Sequence, residues 1–387
     1  MRVADSADAV TDRKPGIVLF LGSGFSAVLG IPTTTQVNKR LLCPVKSVDR
    51  LQIIEDAIGN KLAQYWRTVF GWEEGKRGPS LEDHFTQLDM AANTGHQLGS
   101  VYQPKQLRAI RRWSIHRIFT LLKSQESRSE CVTQVLSALD QAFGVTVVTT
   151  NWDTEAESCI YDGIDAINYG LDVITDGKRQ SPPDGTQVLK LHGCVNKGYC
   201  DCCKALISFG SQENVVVNQR LLLEPEDFTA LGEAEAADIL RRDKCFQQIR
   251  QCLGCGGRIT ARVATFSYRK DLNPHAFYTI WDKAYTSLQL ASNWIFVGYS
   301  LPEADTEIRH LLKSAQVSRK NVKDLSIDVV LKGDCQAGER YERFFGLPDE
   351  RIFQGGLEDW AVERAGNYCG SVKPSIAAGT SSEERAT

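Results

Sequence analysis

The stretch Gly16-Ile17-Val18-Leu19-Phe20-Leu21-Gly22-Ser23-Gly24-Phe25-Ser26-Ala27-Val28-Leu29-Gly30-Ile31-Pro32 decides how the chain is read. Gly16–Gly22 is a continuous apolar run, which suits a parallel strand covered on both faces. Gly22, Gly24 and Ala27 then form a G-x-G-x-x-A pattern at a strand-to-helix turn. Glycines there permit a tight bend and close backbone approach to a pyrophosphate, and the helix start turns free N–H groups toward that anion. Ser23 and Ser26 add hydroxyl donors. The plainer alternative is a glycine-rich turn with no ligand. No convincing ribose-binding acid follows about 20 residues on, because Asp49 falls in an irregular stretch, so this is not an ordinary dehydrogenase fingerprint.

Working outward, four more short runs rich in Val and Ile read as buried strands: Val145–Asn151, Val188–Gly193, Trp294–Ser300 and Ile327–Lys332. Helical patterns separate most of them, which predicts an α/β fold, a Rossmann-like doubly wound parallel sheet. The sheet domain is expected to be discontinuous, over 15–35, 144–193 and 260–350. Residues 36–143 contain no convincing strand and read as a helical insertion module, natural for self-association or for a lid. Within it Ser80–Met90 and Leu107–Lys123 have helical spacing, and Ser80 followed by Asp83 marks a helix start. Residues 194–259 read as a small zinc-binding module that also carries a helix candidate, Glu226–Arg242. The ends, 1–14 and 366–387, read as flexible tails.

The 387 residues suffice to bury a full core without disulfide staples. Hydrophobic content of 42% with 24% charged residues is a globular balance, against a mostly disordered chain. With 45 basic against 48 acidic residues the net charge is −3, which argues against a general polyanion-binding surface and against direct nucleic-acid binding. No run approaches the ~18 apolar residues of a spanning helix, and Met1–Pro15 lacks a signal-peptide core. A cytoplasmic protein with no membrane contact is the expectation.

The sequence holds twelve cysteines, more than packing alone asks of a cytosolic chain. In a reducing compartment, clustered cysteines are metal ligands or reactive thiols more often than disulfides. Cys200-x-x-Cys203 and Cys252-x-x-Cys255 are two thiolate pairs able to close a tetrahedral zinc site, although 48 residues separate them. Four protein ligands make such a zinc structural, since a catalytic zinc keeps a position open. Cys202 or Cys245 could replace one ligand. Cys43, Cys131, Cys159, Cys335 and Cys369 are scattered and read as packed thiols, and Cys194 has no evident activating partner.

At the predicted carboxyl ends of strands lie Thr149-Thr150-Asn151-Trp152-Asp153, then His192-Gly193, then Gly298-Tyr299-Ser300-Leu301-Pro302 with Asp305 beyond. Ligands of open α/β sheets bind at such ends. Singly the signals are weak: a lone His is often a structural hydrogen-bonding residue, and Asn-x-Asp can simply cap a helix. Together with Gly22-Ser23-Gly24-Phe25-Ser26 and Gly30-Ile31-Pro32, their order resembles the G-A-G-x-S…G-I-P, T-Q-N-x-D, His-Gly and G-T-S motifs of sirtuins and their SIR2-like relatives. Glu339–Gly346 resembles the C-terminal end of the prokaryotic branch.

The resemblance implies NAD as substrate, with Gly22, Ser23, Gly24, Phe25, Ser26, Thr150, Asn151, Asp153, Gly298 and Ser300 as binding residues. It implies Asn151 orienting the nucleophilic water or the nicotinamide ribose, Asp153 bonding the carboxamide, and His192 as base, a role its usual pKa near ~6.5 suits. The sequence also departs from the protein deacylases of that family. Asp-Phe-Arg after G-I-P is replaced by Thr33-Thr34-Thr35, Gln of T-Q-N by Thr150, and the peptide-holding segment by Ala264–Tyr268. This favours an NAD glycohydrolase, as in SIR2-like anti-phage effectors, which are commonly oligomers or paired with a sensor or activating protein. The cysteine module favours instead a sirtuin-type deacylase or ADP-ribosyltransferase. An NAD- or ADP-ribose-sensing subunit without activity is a third reading, opposed by the intact Asn and His.

Overall fold

The apolar run after Gly16 forms β1 (Ile17–Leu21), buried at every residue, and leads into α1 (Ser23–Val28). The computed structural model describes residues 16–47, 50–122, 130–161, 167–175, 177–200, 202–208, 220–243, 250–270 and 275–363. Both expected tails, Asp49, Cys245 and Cys369 lie outside the described residues. Helix α2 (Thr34–Arg40) starts at Thr33, whose hydroxyl accepts from the Gln36 N–H while the Gln36 side chain accepts from the Thr33 N–H. These paired caps satisfy two donors that a helix start otherwise leaves open.

Next come α3 (Arg50–Phe70), α4 (Leu81–Thr94), α5 (Pro104–Leu121) and α6 (Glu130–Phe143), with no strand among the described residues between them. The Ser80 hydroxyl accepts from the Asp83 N–H at 3.0 Å, as expected of the helix start there. The chain continues through β2 (Val145–Thr149), α7 (Glu155–Tyr161), β3 (Ile167–Asn168), β4 (Val173–Thr175), β5 (Lys178–Gln180), β6 (Thr186–Lys190), β7 (Lys197–Cys200) and β8 (Leu206–Ser208). It ends with α8 (Pro225–Ala230), α9 (Ala234–Arg242), β9 (Ile259–Thr260), α10 (His275–Leu290), β10 (Asn293–Val297), α11 (Thr306–Val317), β11 (Ser326–Val330), α12 (Cys335–Phe345), β12 (Ile352–Phe353) and α13 (Leu357–Glu363).

Seven strands form one parallel sheet in the order β12-β11-β10-β1-β2-β6-β3. The chain winds outward from β1 through β2 and β6, then returns to place β10 on the other flank of β1. The fold is therefore the Rossmann-like doubly wound sheet read from the sequence. Side chains alternate between faces. Val18, Phe20, Trp294 and Phe296 pack with Leu288, Ile308 and Tyr341, while Ile17, Leu19, Val147 and Ile295 pack with Leu136 and Trp360 on the reverse. Each such buried side chain contributes about 1.5–3 kcal/mol relative to exposure. The five expected strands are present; β3 and β12, two residues each, are too short to carry a pattern.

A second core belongs to the helices, with Ile58, Tyr65, Phe85, Ile110, Trp113 and Phe119 among its buried members. At its heart His84 accepts from Trp66 Nε1 through Nδ1 at 2.9 Å, which leaves Nε2–H to meet the Ser114 hydroxyl at 2.8 Å. Burial drives this ring down to about 3, so it stays neutral and fully bonded. The expected single helix Glu226–Arg242 is two helices, α8 and α9. Gly232 takes a left-handed φ of +83°, and the Glu233 N–H turns back to the Phe228 carbonyl at 2.8 Å. A glycine there ends the first helix, which composition alone does not show. Phe228 lies 4.4 Å from Trp113, and Arg112 pairs with Asp227, so within 194–259 these helices join the helical core rather than the cysteines.

The cysteine-bearing part is a second sheet, β5-β4-β8-β7-β9. Among the remaining thiols Cys159 is buried as expected, but Cys43 and Cys335 are exposed. Cys335 opens α12 and Cys43 follows α2, each beside core residues (Ala337 and Leu41) but itself turned to solvent. Among the described residues no helix is long and apolar enough to cross a membrane.

Candidate active site

Strands β1 and β10 are neighbours at the point where the winding reverses, and the loops after them interlock. The Gly22 N–H donates to the Val297 carbonyl at 3.0 Å and the Gly24 N–H to the Gly298 carbonyl at 2.8 Å. A Cβ on Gly24 would stand 2.8 Å from Gly298 Cα, and one on Gly298, at φ +61°, would stand 2.2 Å from the Phe25 nitrogen. The glycines are thus demanded by backbone meeting backbone. This corrects the expectation of free N–H groups: those of Gly22, Gly24 and Phe25 are all accepted within the protein, the last by the Gly22 carbonyl at 3.0 Å.

Above this seam lies a cavity of about 860 Å³. Ser23, Ser26, Thr150, Asn151, Asp153, His192 and Ser300 line it, so seven expected site residues from four loops converge. Gly22, Gly24 and Gly298 stand behind the wall, and the Phe25 side chain is buried in the sheet core. The helical module supplies the opposite wall through Trp66, Trp72, Ile118 and Leu122.

The Thr149 hydroxyl donates to the Leu21 carbonyl at 2.9 Å and accepts from the Asn151 N–H at 3.0 Å, which ends β2 and turns Asn151 back over β1. Asn151 Nδ2 then spends its two protons on the Gly22 carbonyl at 2.8 Å and Ser26 Oγ at 2.9 Å. A carbonyl can only accept, so the amide orientation is set, and Oδ1 remains the acceptor offered to the cavity. Ser26 passes its own proton to Asp153 Oδ1 at 3.0 Å, which also accepts from the Glu155 N–H at 3.2 Å. Asp153 therefore caps α7 as well as lining the cavity. Burial raises its pKa, partly offset by Lys190 and by these hydrogen bonds.

His192 follows β6 and is held by its backbone, its carbonyl accepting from the Ala264 N–H at 3.0 Å. Gly193 makes the turn at φ +81°, where a Cβ would stand 2.3 Å from the Arg262 carbonyl. His192 Nε2 is buried with no hydrogen-bond partner among the described residues. Burial, with Lys270 adding to it and Asp305 opposing, pulls the ring down to about 4. The expected base is therefore neutral at pH 7 by a wide margin and a weaker base than its usual pKa suggests.

Lys270, Asp305 and Tyr299 also line the cavity. Lys270 meets Asp305 Oδ1 at 2.9 Å, and the Tyr299 hydroxyl donates to Asp305 Oδ2 at 2.8 Å. Asp305 stood in a quoted motif without a role, whereas Lys270, Trp66 and Trp72 belong to no motif.

The sulfurs of Cys200, Cys203, Cys252 and Cys255 all lie within 4.8 Å of one another. Cys200 and Cys255 are 3.5 Å apart and Cys203 and Cys252 3.9 Å, bracketing the ~3.8 Å expected across a tetrahedral zinc with bonds of ~2.3 Å. The two pairs also fold alike. The Lys204 N–H returns to the Cys200 carbonyl and the Gly256 N–H to the Cys252 carbonyl, at 3.0 and 2.7 Å. Lys204 and Gly256 both take left-handed φ values, +61° and +72°. Two like knuckles offering four sulfurs fit a structural zinc. Cys202 is exposed beside them, outside the four.

No protein-family model and no curated protein matches this chain. Solved structures similar to it include a Sir2 homolog–NAD complex, at 13% identity over 91% of this chain and 88% of that one, with a TM-score of 0.40. A mutant Sir2 homologue with 2′-O-acetyl ADP-ribose is 13% identical over 93% and 94%, at a TM-score of 0.41. Another mutant Sir2 homologue, with ADP-ribose, is 15% identical over 85% and 89%, at a TM-score of 0.36.

Proposed function

We propose that this chain is a SIR2-like NAD hydrolase that cleaves the nicotinamide–ribose bond of NAD to nicotinamide and ADP-ribose. The observation that carries the reading is one cavity, at the switch point of the sheet, lined both by Asn151, whose amide protons are spent within the protein, and by His192, whose buried Nε2 has no partner among the described residues. Cleavage develops oxocarbenium character at the anomeric carbon, and nicotinamide leaves neutral, so strong acid catalysis is unnecessary. What helps is a fixed substrate, a nucleophile held in line and a base. Asn151 Oδ1 accepts a hydrogen bond from the attacking water or from the nicotinamide ribose. His192 takes the proton that water gives up, the oxygen bonds the anomeric carbon, and the C–N electrons leave with nicotinamide. Asp153 bonds the carboxamide, and the Ser23 and Ser300 hydroxyls face the phosphates and the adenosine ribose. The four cysteines would hold a zinc whose contribution is structural.

Water as acceptor is supported by the wall after His192. The Thr265 hydroxyl donates to Asp89, the Tyr268 N–H meets Thr86 Oγ1 at 3.0 Å, and Phe266 packs 5.1 Å from Trp152 and 6.0 Å from Phe85. The segment that departs from the deacylase pattern is thereby occupied by the helical module. The cysteine knot favours a second reading, a sirtuin-type deacylase or ADP-ribosyltransferase. Incubating the purified chain with NAD alone separates the two: ADP-ribose forms, and fails to form with Asn151→Ala or His192→Ala. Turnover only with an acylated peptide would overturn the first reading for the second. As an anti-phage effector, a cytoplasmic homo-oligomer released by a sensor partner, the chain would lower cellular NAD on induction, and His192→Ala would not.

A further inference from the structure

That reaction leaves two buried charges on the cavity wall unassigned. The Lys270 side chain is 1% exposed, and its ammonium reaches the Ser267 carbonyl at 3.2 Å, the Ala304 carbonyl at 2.9 Å and Asp305 Oδ1 at 2.9 Å. An ammonium has three protons, and all are spent. Lys270 is therefore neither nucleophile nor base; it ties the segment after His192 to the loop after β10. The carboxylate it holds is fixed on its other oxygen by Tyr299, whose own carbonyl is held by the Tyr341 hydroxyl at 2.9 Å. Burial disfavours the Asp305 charge, yet His192, Lys270 and these hydrogen bonds hold its carboxyl below the usual range. At neutral pH the ring is uncharged, so Lys270 and Tyr299 maintain that ionisation.

We propose that Lys270 and Asp305 are positioning residues for His192: the lysine clamps the carboxylate in the cavity wall, and the carboxylate stabilises the imidazolium formed when the ring takes a proton from water or a ribose hydroxyl. The ring's surroundings suit this role. Asp153 stands on the β2 loop with Lys190 and Glu157 behind it, Lys270 comes from the segment after Ala264, and Asp305 and Tyr299 follow β10. Glu307, on α11, lies 3.9 Å from Lys270. Asp305 lines the same cavity as His192 without a hydrogen bond or ion pair to the ring among the described residues, so its charge favours the protonated ring through space, and Lys270 opposes it.

The proposal rests on the hydrolase reading only for its kinetics, so the test has two arms. In ligand-free protein labelled at histidine carbons, NMR titration reads the His192 ring directly, assigned by loss in His192→Ala. Asp305→Asn moves the titration to lower pH and Lys270→Met moves it to higher pH. With NAD, Asp305→Asn lowers kcat by about a hundredfold, within the range of proton-transfer catalysis, and leaves KM nearly unchanged. Where a single variant fails to fold, Lys270→Met with Asp305→Asn leaves no unpaired charge, and kcat still falls on a folded chain. Titrations unmoved, or moved in the same direction by both variants, overturn the proposal, as does the double variant at wild-type kcat. Wild type that does not cleave NAD would sink the hydrolase reading, and the NMR arm would still decide this one.

Discussion

The helical module and the sheet edge each bury a histidine, and they differ in what they leave the ring. His84 has both nitrogens bonded, to Trp66 and to Ser114, and is as inert as a core side chain. His192 is almost equally buried and lines the cavity, yet its Nε2 has no hydrogen-bond partner among the described residues. Burial alone lowers both rings; only in the second does the fold leave a desolvated nitrogen idle. An orphaned buried polar atom costs stability, and the Tyr65 hydroxyl and Trp113 Nε1 in the helical core are also without partners among the described residues, so what sets His192 apart is that its ring both lacks a partner at Nε2 and lines the cavity.

The largest expected effect lies outside both rings and guards the contrast against general loosening. Structural zinc contributes on the order of 10 kcal/mol to a site of this kind. The protein should carry one zinc per chain, and chelation or Cys252→Ser should untie the small sheet, seen as lost zinc and a much lower Tm. Next, His192→Ala should lower kcat for NAD cleavage by about 10²- to 10⁴-fold, with unfolding free energy changed by no more than about 1 kcal/mol. His84→Ala should do the reverse. It strands the Trp66 donor in the core and costs about 2–4 kcal/mol by urea unfolding, and what reaches the reaction, through Trp66 on the cavity wall, falls on KM rather than kcat. If the two variants traded phenotypes, the distinction would collapse.

The effect that is smallest near neutral pH is titration. Both rings are lowered in the fold, so the unfolded chain takes up protons first as pH drops. Stability is fully present above about pH 6.5 and falls by about 1.4 kcal/mol per ring per pH unit below it. The loss continues to about pH 4 for His192 and about pH 3 for His84. Removing either ring should flatten that slope equally. Activity should respond to His192 alone, with kcat/KM level from pH 7 to about 5 and failing near 4, which a pH–rate profile checks.

Much of this arrangement is legible in the sequence, because it is local. Five strands announce themselves by short β-branched runs, and Asn151, Asp153 and His192 stand out at strand ends through the order of their motifs taken together. The two Cys-x-x-Cys pairs needed only a ligand count. What stayed hidden depends on distant segments meeting. Gly22 and Gly24 read as a phosphate loop, but their small size answers to Gly298, some 275 residues away. Lys270 carries no motif because its meaning is the loop around Asp305. Trp66 and Trp72 belong to no motif, because their place on the cavity wall depends on the helical module meeting the sheet. Gly232 was one glycine among many until its φ showed where a helix stops.

The pairing of Ile17 with Asn293 has a consequence for how the protein is made. The central strand, at Ile17, is synthesised long before one of its two neighbours, at Asn293. At 5–20 residues per second the ribosome needs roughly 15–55 s to cover that interval. Throughout it β1 can pair with β2 but offers a bare apolar edge on its other side, the kind of surface that recruits foreign strands. The cavity is also incomplete until Asp305 has emerged. A nascent chain of this protein therefore has no finished cavity until the loop after β10 has emerged.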